Sequence, residues 1–165
     1  KTEPEKQNKE IGLLLTDVSI QYGKEKYGKA AELLRKGIEK WPDNADLYAW
    51  YGATLINMKY PENALQQYRK AAEISPDVPD YHAGVGISLV NIYMDRAKES
   101  IDAFKKALQI DPNNVAALEG LGFVYASMGK KELATELYDR LESIDKAAAQ
   151  RLYQAITQEV IWEAR

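Results

Sequence analysis

The sequence predicts an all-α protein built from helix-turn-helix repeats, and three observations support this prediction. Pro42, Pro76 and Pro112 follow similar short segments and lie 34 and 36 residues apart. Apolar residues after Ile11 recur at the i, i+3, i+7 spacing of a buried helical face. Small residues also recur in register within each interval. Repetition at such a period predicts a solenoid, in which each unit buries its apolar face by stacking on its neighbours.

Composition excludes several classes of protein. The 165 residues suffice for one domain with a continuous core. With 22 basic and 25 acidic residues the net charge is -3, which argues against a nucleic-acid-binding face. No apolar run reaches the roughly 18 residues of a spanning helix. There is no cysteine, so disulfides and thiolate metal sites are excluded. The chain begins at Lys1 without a signal-peptide pattern, and we expect its native start to be missing.

The small residues predict close contacts between paired helices. They are Ser19, Gly52, Gly86 and Gly122 in the first helices and Ala30, Ala64, Ser100 and Ala134 in the second helices. A glycine inside a helix costs about 1 kcal/mol relative to alanine, so these glycines need a packing reason. We therefore expect Gly52 to contact Ala64 and Gly122 to contact Ala134.

Helix ends are also marked in the sequence. Each proline removes a backbone donor and disfavours helix in the preceding residue, so it should end a second helix. Polar residues that suit the N-cap of the next helix follow the prolines: Asp43, Asn44, Asp77, Asn113 and Asn114.

Taken together, these residues resemble the tetratricopeptide repeat (TPR), whose consensus is Trp-x2-Leu-Gly-x2-Tyr, then Ala-x3-Phe-x2-Ala, then Pro. The second repeat matches this consensus at Tyr48, Tyr51, Gly52, Leu55, Ala64, Tyr68, Ala71 and Pro76. The resemblance implies a right-handed superhelix of four repeats over 11–145, namely 12–44, 45–78, 79–114 and 115–145. Residues 1–10 are charged and aperiodic, which predicts a flexible tail. Residues 146–165 carry Leu152, Ile156 and Val160 at helical spacing and look like the capping helix of this family.

Nothing in the sequence indicates catalysis, a metal or a cofactor. His82 is the only histidine, and it occupies the position of Tyr48 and Leu118 in other repeats, which favours a packing role. The segment from Gly84 to Gly86 lies in the middle of a predicted helix and is not a phosphate-binding loop. We therefore expect a non-enzyme, unless the segment belongs to a longer protein whose catalytic domain lies elsewhere.

The resemblance implies that a ligand binds in the concave groove lined by the first helices. The corresponding positions in this chain are Ile20, Asp46, Trp50, Ala53, Ile56, Asn57, Asp80, Ala83, Ile87, Val90, Asn91, Glu119 and Phe123. They include no lysine or arginine, which argues against the carboxylate clamp of one subgroup of the family. The apolar members suit an apolar or amphipathic peptide or a partner helix. Alternatively, the neighbouring repeat covers some of them.

Three kinds of residue in this groove have more specific predicted roles. Asn57 and Asn91 share one position, and their amides could pair with both N–H and C=O of a peptide backbone. The acids Asp46, Asp80 and Glu119 suggest a partner with some basic character. Trp50 either packs onto Gly84 or forms an exposed anchor for a partner.

Two functions therefore remain open. The first is an adaptor that binds a protein or peptide partner in the groove. The second is a self-associating module, a homo-oligomer in which the C-terminal helix docks onto another copy. The residues for this docking would be Leu152, Ile156, Val160, Ile161 and Trp162.

Overall fold

The structure of the protein, a computed structural model, describes residues 2–92 and 96–157. Within these ranges it contains nine α-helices and no β-strand, so the predicted all-α helical-repeat fold is confirmed. The helices are α1 (Glu3–Gly23), α2 (Tyr27–Lys40), α3 (Ala45–Asn57), α4 (Pro61–Ile74), α5 (Pro79–Ile92), α6 (Ala97–Ile110), α7 (Val115–Ser127), α8 (Lys131–Glu142) and α9 (Lys146–Thr157).

Helix ends follow the sequence signals closely. Helices α2, α4 and α6 each end two residues before the proline that follows them. The side-chain oxygens of Asn44 and Asn114 accept hydrogen bonds from the backbone N–H three residues on, at 3.2 and 2.9 Å. Asp77 is not an N-cap, because α5 begins with Pro79, a residue whose fixed φ suits the first helical position.

Three turns between paired helices share one backbone feature. Glu25, Lys59 and Gly129 occupy the left-handed region with φ of 56°, 66° and 72°. These residues lie at corresponding places after α1, α3 and α7. Of these three turns, only that after α7 has glycine at this place, the residue that adopts the conformation without steric cost.

The chain forms two compact units, Lys1–Pro76 and Asp77–Arg165, where the sequence suggested one continuous domain. In unit 1, α2 packs against both α1 and α3, and α4 packs against α3. Val18, Ala30, Leu34 and Leu47 form its buried cluster. Unit 1 therefore has an apolar core of its own.

Unit 2 is centred on Phe104 of α6, whose side chain is fully buried. Helices α5, α7, α8 and α9 complete the same core, with Leu118, Leu141 and Leu152 also fully buried. A Cβ built on Gly86 of α5 would lie 2.7 to 2.8 Å from the Phe104 ring, and a Cβ on Gly120 of α7 would also overlap that ring. The two glycines thus make room for one aromatic side chain between α5 and α7.

The expected glycine–alanine contacts are not the closest ones. A Cβ built on Gly52 would have atoms of the Tyr68 ring as its nearest neighbours, at a shortest distance of 2.7 Å. The atoms nearest to a Cβ on Gly122 all belong to Leu152, the first at 2.5 Å. The glycines therefore accommodate large side chains of other helices, while Ala64 and Ala134 are themselves fully buried.

The prediction of a flexible tail over 1–10 is wrong from Glu3 onward, because α1 begins there. The backbone N–H of Thr2 donates to the Glu5 carboxylate at 3.1 Å, and Pro4 lies in the first turn, where it is tolerated. Glu10 also forms an ion pair with Lys40 of α2. Local capping and charge pairing thus build helix in a segment that has no apolar periodicity.

Helix α9 packs on its own chain, against α7 and α8. Ala148, Ala149 and Leu152 are buried in the core of unit 2. Asp145 starts the helix, since its carboxylate accepts from the backbone N–H groups of Ala147 and Ala148 at 2.9 Å. Of the residues predicted to dock onto another copy, Val160, Ile161 and Trp162 lie outside the described ranges.

Candidate peptide-binding faces

Helices α1 and α3 present apolar side chains to solvent on unit 1. Leu13 and Ile20, which α1 places opposite its buried side, are 60% and 45% exposed. On α3 the corresponding side chains are half-buried or exposed. We call this set the unit-1 face: Leu13, Ile20, Asp46, Trp50, Ala53, Ile56 and Asn57. Its exposed aliphatic residues are the feature that a ligand could cover.

Tyr22, a half-buried residue in the last turn of α1, packs against Trp50. The two rings meet edge to face with centroids 5.8 Å apart, and Tyr27 meets the Tyr22 ring at 5.2 Å. Burial raises the pKa of the Tyr22 hydroxyl above its ordinary value. Trp50 is half-buried against the unit-1 core, so within this unit it fills space beside Tyr22. It is therefore not a fully exposed anchor.

Asn57 and Asn91, which share a repeat position, use part of their predicted capacity to pair with a peptide backbone on bonds within the protein. The amide nitrogen of Asn57 donates to the carbonyl of Ala53 at 3.0 Å and to the Tyr22 hydroxyl at 2.6 Å. The amide nitrogen of Asn91 donates to the carbonyl of Ile87 at 2.8 Å. Asn57 therefore uses both amide N–H groups within the protein and keeps its amide oxygen to accept from a peptide N–H, whereas Asn91 uses one N–H and keeps the second as well as its oxygen.

Helices α5 and α7 carry the remaining predicted residues, all in unit 2. Ile87 and Val90 are half-buried against the core, and Phe123 is 37% exposed. Ala83 is 1% exposed and belongs to the core, so its assignment to a binding surface is wrong. It lies in the apolar cluster that α5 shares with α6 and α7. We call the accessible set the unit-2 face: Asp80, Ile87, Val90, Asn91, Glu119 and Phe123.

Asp80 is engaged by a side chain of the following repeat. Its carboxylate accepts a 2.6 Å hydrogen bond from the amide nitrogen of Asn114. The oxygen of the same Asn114 amide caps α7. Asp80 thus orients an N-cap residue, which gives this acid a structural role in unit 2.

Glu119 is paired with a cation from a distant part of the sequence. The Arg151 guanidinium donates to both carboxylate oxygens, at 2.5 and 2.8 Å, in a two-pronged pair that links α9 to α7. The Glu119 side chain is only 16% exposed, and hydrogen bonding to it raises the pKa of Arg151. The expectation of Glu119 as an acid open to a basic partner is therefore wrong.

The repeat register of the sequence indicates that Arg151 occupies the same position in its helix as Trp50 and Gly120 do in theirs. Asn44, Asn114 and Asp145 each cap a helix, and Trp50, Gly120 and Arg151 follow them by six residues. Aligning α9 on its N-cap therefore places Arg151 in a repeat position that the resemblance associates with ligand contact.

The described residues hold no group of three or more His, Asp or Glu side chains that could bind a metal ion. His82 is 7% exposed and makes a contact within the protein, in keeping with a packing role. Among the helices that the structure describes, none has the length and apolar character needed to cross a membrane.

Two family models match the chain. A tetratricopeptide repeat model matches residues 21–86, and a TPR repeat model matches residues 94–129. The matches together span more than half of the chain. The chain therefore belongs to the tetratricopeptide repeat family.

Solved structures with this fold include three informative ones. MamA has a TM-score of 0.70 and 24% identity over 84% of this chain and 80% of MamA. The thermophilic TPR protein TTC0263 of Thermus thermophilus has a TM-score of 0.79 and 16% identity, with coverage of 88% and 82%. The second TPR domain of human RPAP3, solved in complex with an HSP70 peptide, has a TM-score of 0.62 and 20% identity, with coverage of 67% and 91%.

These identities lie below 25%, so the likeness establishes the fold alone. No curated protein sequence is similar enough to the chain to count as a match.

Proposed function

We propose that this protein is a non-enzymatic interaction module that binds a peptide or helix on the faces of its first helices. The exposure of Leu13, Ile20 and Phe123 carries this proposal, because each lies at a repeat position that points away from the core. The human RPAP3 domain, which shares the fold, was solved with a bound peptide, and this supports the same role here. Family membership alone would not specify a partner.

The unit-1 face is the better candidate for the main apolar contact. Leu13 and Ile20 lie two helical turns apart on one side of α1, and Thr16 lies between them. Covering such aliphatic side chains releases about 25 cal/mol per Å² of apolar surface. An amphipathic helix or extended peptide with apolar residues at matching spacing would gain this energy.

The charge of the ligand follows from the acids of each unit. In unit 2, Asn114 engages Asp80 and Arg151 engages Glu119. In unit 1, Asp17 is exposed and lies on α1 between the two aliphatic residues Leu13 and Ile20. We therefore propose that a ligand of the unit-1 face combines apolar residues with a lysine or arginine that meets Asp17.

Self-association through Leu152 is not part of this proposal. Leu152 is fully buried against Gly122 of its own chain and cannot dock elsewhere without unfolding that core.

The test is a selection of displayed random peptides on the wild-type protein, followed by affinity measurements on two matched variants. Ile20→Asp introduces a charge on the unit-1 face, whereas Ile110→Asp introduces the same charge on α6, where Ile110 is 38% exposed. We expect the first change to weaken peptide binding at least about tenfold, a loss of about 1.4 kcal/mol, and the second to leave it unchanged. Fluorescence anisotropy of labelled peptides measures both.

Equal affinities for Ile20→Asp and the wild type would place the ligand elsewhere. The requirement for a cation is checked by raising the salt concentration, which should weaken binding because exposed charges are screened within about 10 Å at 0.1 M ionic strength.

A further inference from the structure

The outer surface of α8 and α9 bears a cleft that the peptide-binding faces do not use. Its volume is about 230 Å³, below the roughly 300 Å³ at which pockets for small molecules begin. Tyr153 stands beside it and is 48% exposed, with its ring 5.6 Å from that of Tyr138. We call the following set the α8–α9 face: Tyr138, Glu142, Lys146, Ala149, Gln150 and Tyr153.

In other repeats, the first-helix position that corresponds to Tyr153 of α9 is covered by a neighbouring helix. Eight residues after the N-caps of α3 and α7 stand Gly52 and Gly122, and Gly86 holds the same position in α5. In α3 and α5, an aromatic ring from the second helix of the same repeat lies directly on this glycine. In α7, Leu152 of α9 covers the corresponding Gly122. In α3, α5 and α7 this side is thus covered at close range by a later helix.

The corresponding side of α9 cannot be covered by a helix at the same close range. The residue eight positions after its N-cap, Asp145, is Tyr153. A Cβ alone on Gly52 or Gly86 would already meet the partner ring at 2.7 Å, so a tyrosine leaves no space for another repeat helix at that distance. An occupant of the α8–α9 face therefore needs a recess that receives the Tyr153 ring.

The α8–α9 face itself contains such a recess, since the cleft lies beside the Tyr153 ring. The face also carries two opposite charges, those of Lys146 and Glu142. The ion pairs of the described residues do not include Lys146. Glu142, which accepts a 3.2 Å hydrogen bond from the Tyr138 hydroxyl, lines the same cleft. A surface that carries both a projection and a recess can match itself through a two-fold axis, where residue i meets j and j meets i. Tyrosine is also among the residues that dominate interface energies.

We propose that the α8–α9 face binds the same face of a second copy of this chain. In this symmetric dimer the Tyr153 ring of each protomer enters the cleft of the other, and Glu142 of each protomer meets Lys146 of the other. The unit-1 face takes no part in the contact.

Charge reversal tests this arrangement directly. Light scattering after size exclusion should give a mass of twice the 18.6 kDa of the chain for the wild type. Glu142→Lys and Lys146→Glu should each weaken the dimer at least about tenfold, because each variant places two pairs of like charges together. Mixing the two variants in equal amounts should restore a dimer, since every pair is again of opposite sign. Glu39→Lys, an exposed change on α2, is the matched control and should stay dimeric.

The proposal is overturned if the wild type is monomeric at all concentrations up to the millimolar range. It is equally overturned if both single variants remain as dimeric as the control, or if their mixture stays monomeric while each retains the helical circular dichroism and melting temperature of the wild type. The variant Ile20→Asp separates this proposal from peptide binding, because it should leave the dimer intact.

Discussion

At the scale of single residues, the helical glycines of this chain include two kinds that sequence alone does not distinguish. A Cβ on Gly12, Gly23 or Gly28 would meet no other atom within 4 Å. A Cβ on Gly86 would meet the buried ring of Phe104. The repeat register predicts that the second kind needs close packing, but only the structure shows which side chain fills the space.

Replacing each kind of glycine by alanine should have opposite effects on stability. Gly86→Ala should lower the free energy of unfolding by about 1–3 kcal/mol through overpacking, because Phe104 is fully buried and also abuts Gly120. Gly12→Ala, in the open part of α1, should raise it by about 0.5–1 kcal/mol, since alanine loses less backbone entropy on folding. Urea denaturation measures both. A stabilising Gly86→Ala would show that the ring can move aside.

At the scale of helices, the pattern predicted most elements and missed those whose cause is local or electrostatic. Periodic apolar residues and prolines predicted the paired helices. The first turns of α1 were missed because Glu3 and Lys6 carry no periodic signal, yet they pair at 3.6 Å. Arg151 was missed because its role depends on Glu119, 32 residues earlier, which only the packing of α9 on α7 brings near.

Helix α9 should contribute strongly to stability through one side of its surface. Leu152 is fully buried beside Gly122, so Leu152→Ala should cost about 2–5 kcal/mol by opening a cavity. Gln154→Ala, an exposed change on the same helix, should stay within about 0.5 kcal/mol of the wild type. Chemical denaturation at one protein concentration measures the difference. Similar stability of both variants would mean that α9 does not complete the core.

At the scale of the whole molecule, the sequence predicted a repeat array but not its division into two compact units. The apolar periodicity is the same in every repeat, and it therefore does not predict that the chain divides into two units between Pro76 and Asp77. The same limit applies to the binding residues. Repeat positions identified Ile20 and Phe123 as exposed, but they also included Ala83, which the core of unit 2 buries.

Unit 2 should fold without unit 1. All members of its main apolar cluster, from Ala83 of α5 to Leu152 of α9, belong to Asp77–Arg165. In repeat proteins, stability is approximately the sum of each repeat and its nearest-neighbour contacts, so a segment with a complete core can fold alone. We expect the fragment 77–165 to show the circular dichroism of a helical protein and a cooperative thermal transition. The fragment 77–145, which lacks α9, should lose that transition because it lacks Leu152, which packs on Gly122 and belongs to the same apolar cluster. If 77–165 is unfolded while the full chain is folded, the core of unit 2 is not self-sufficient.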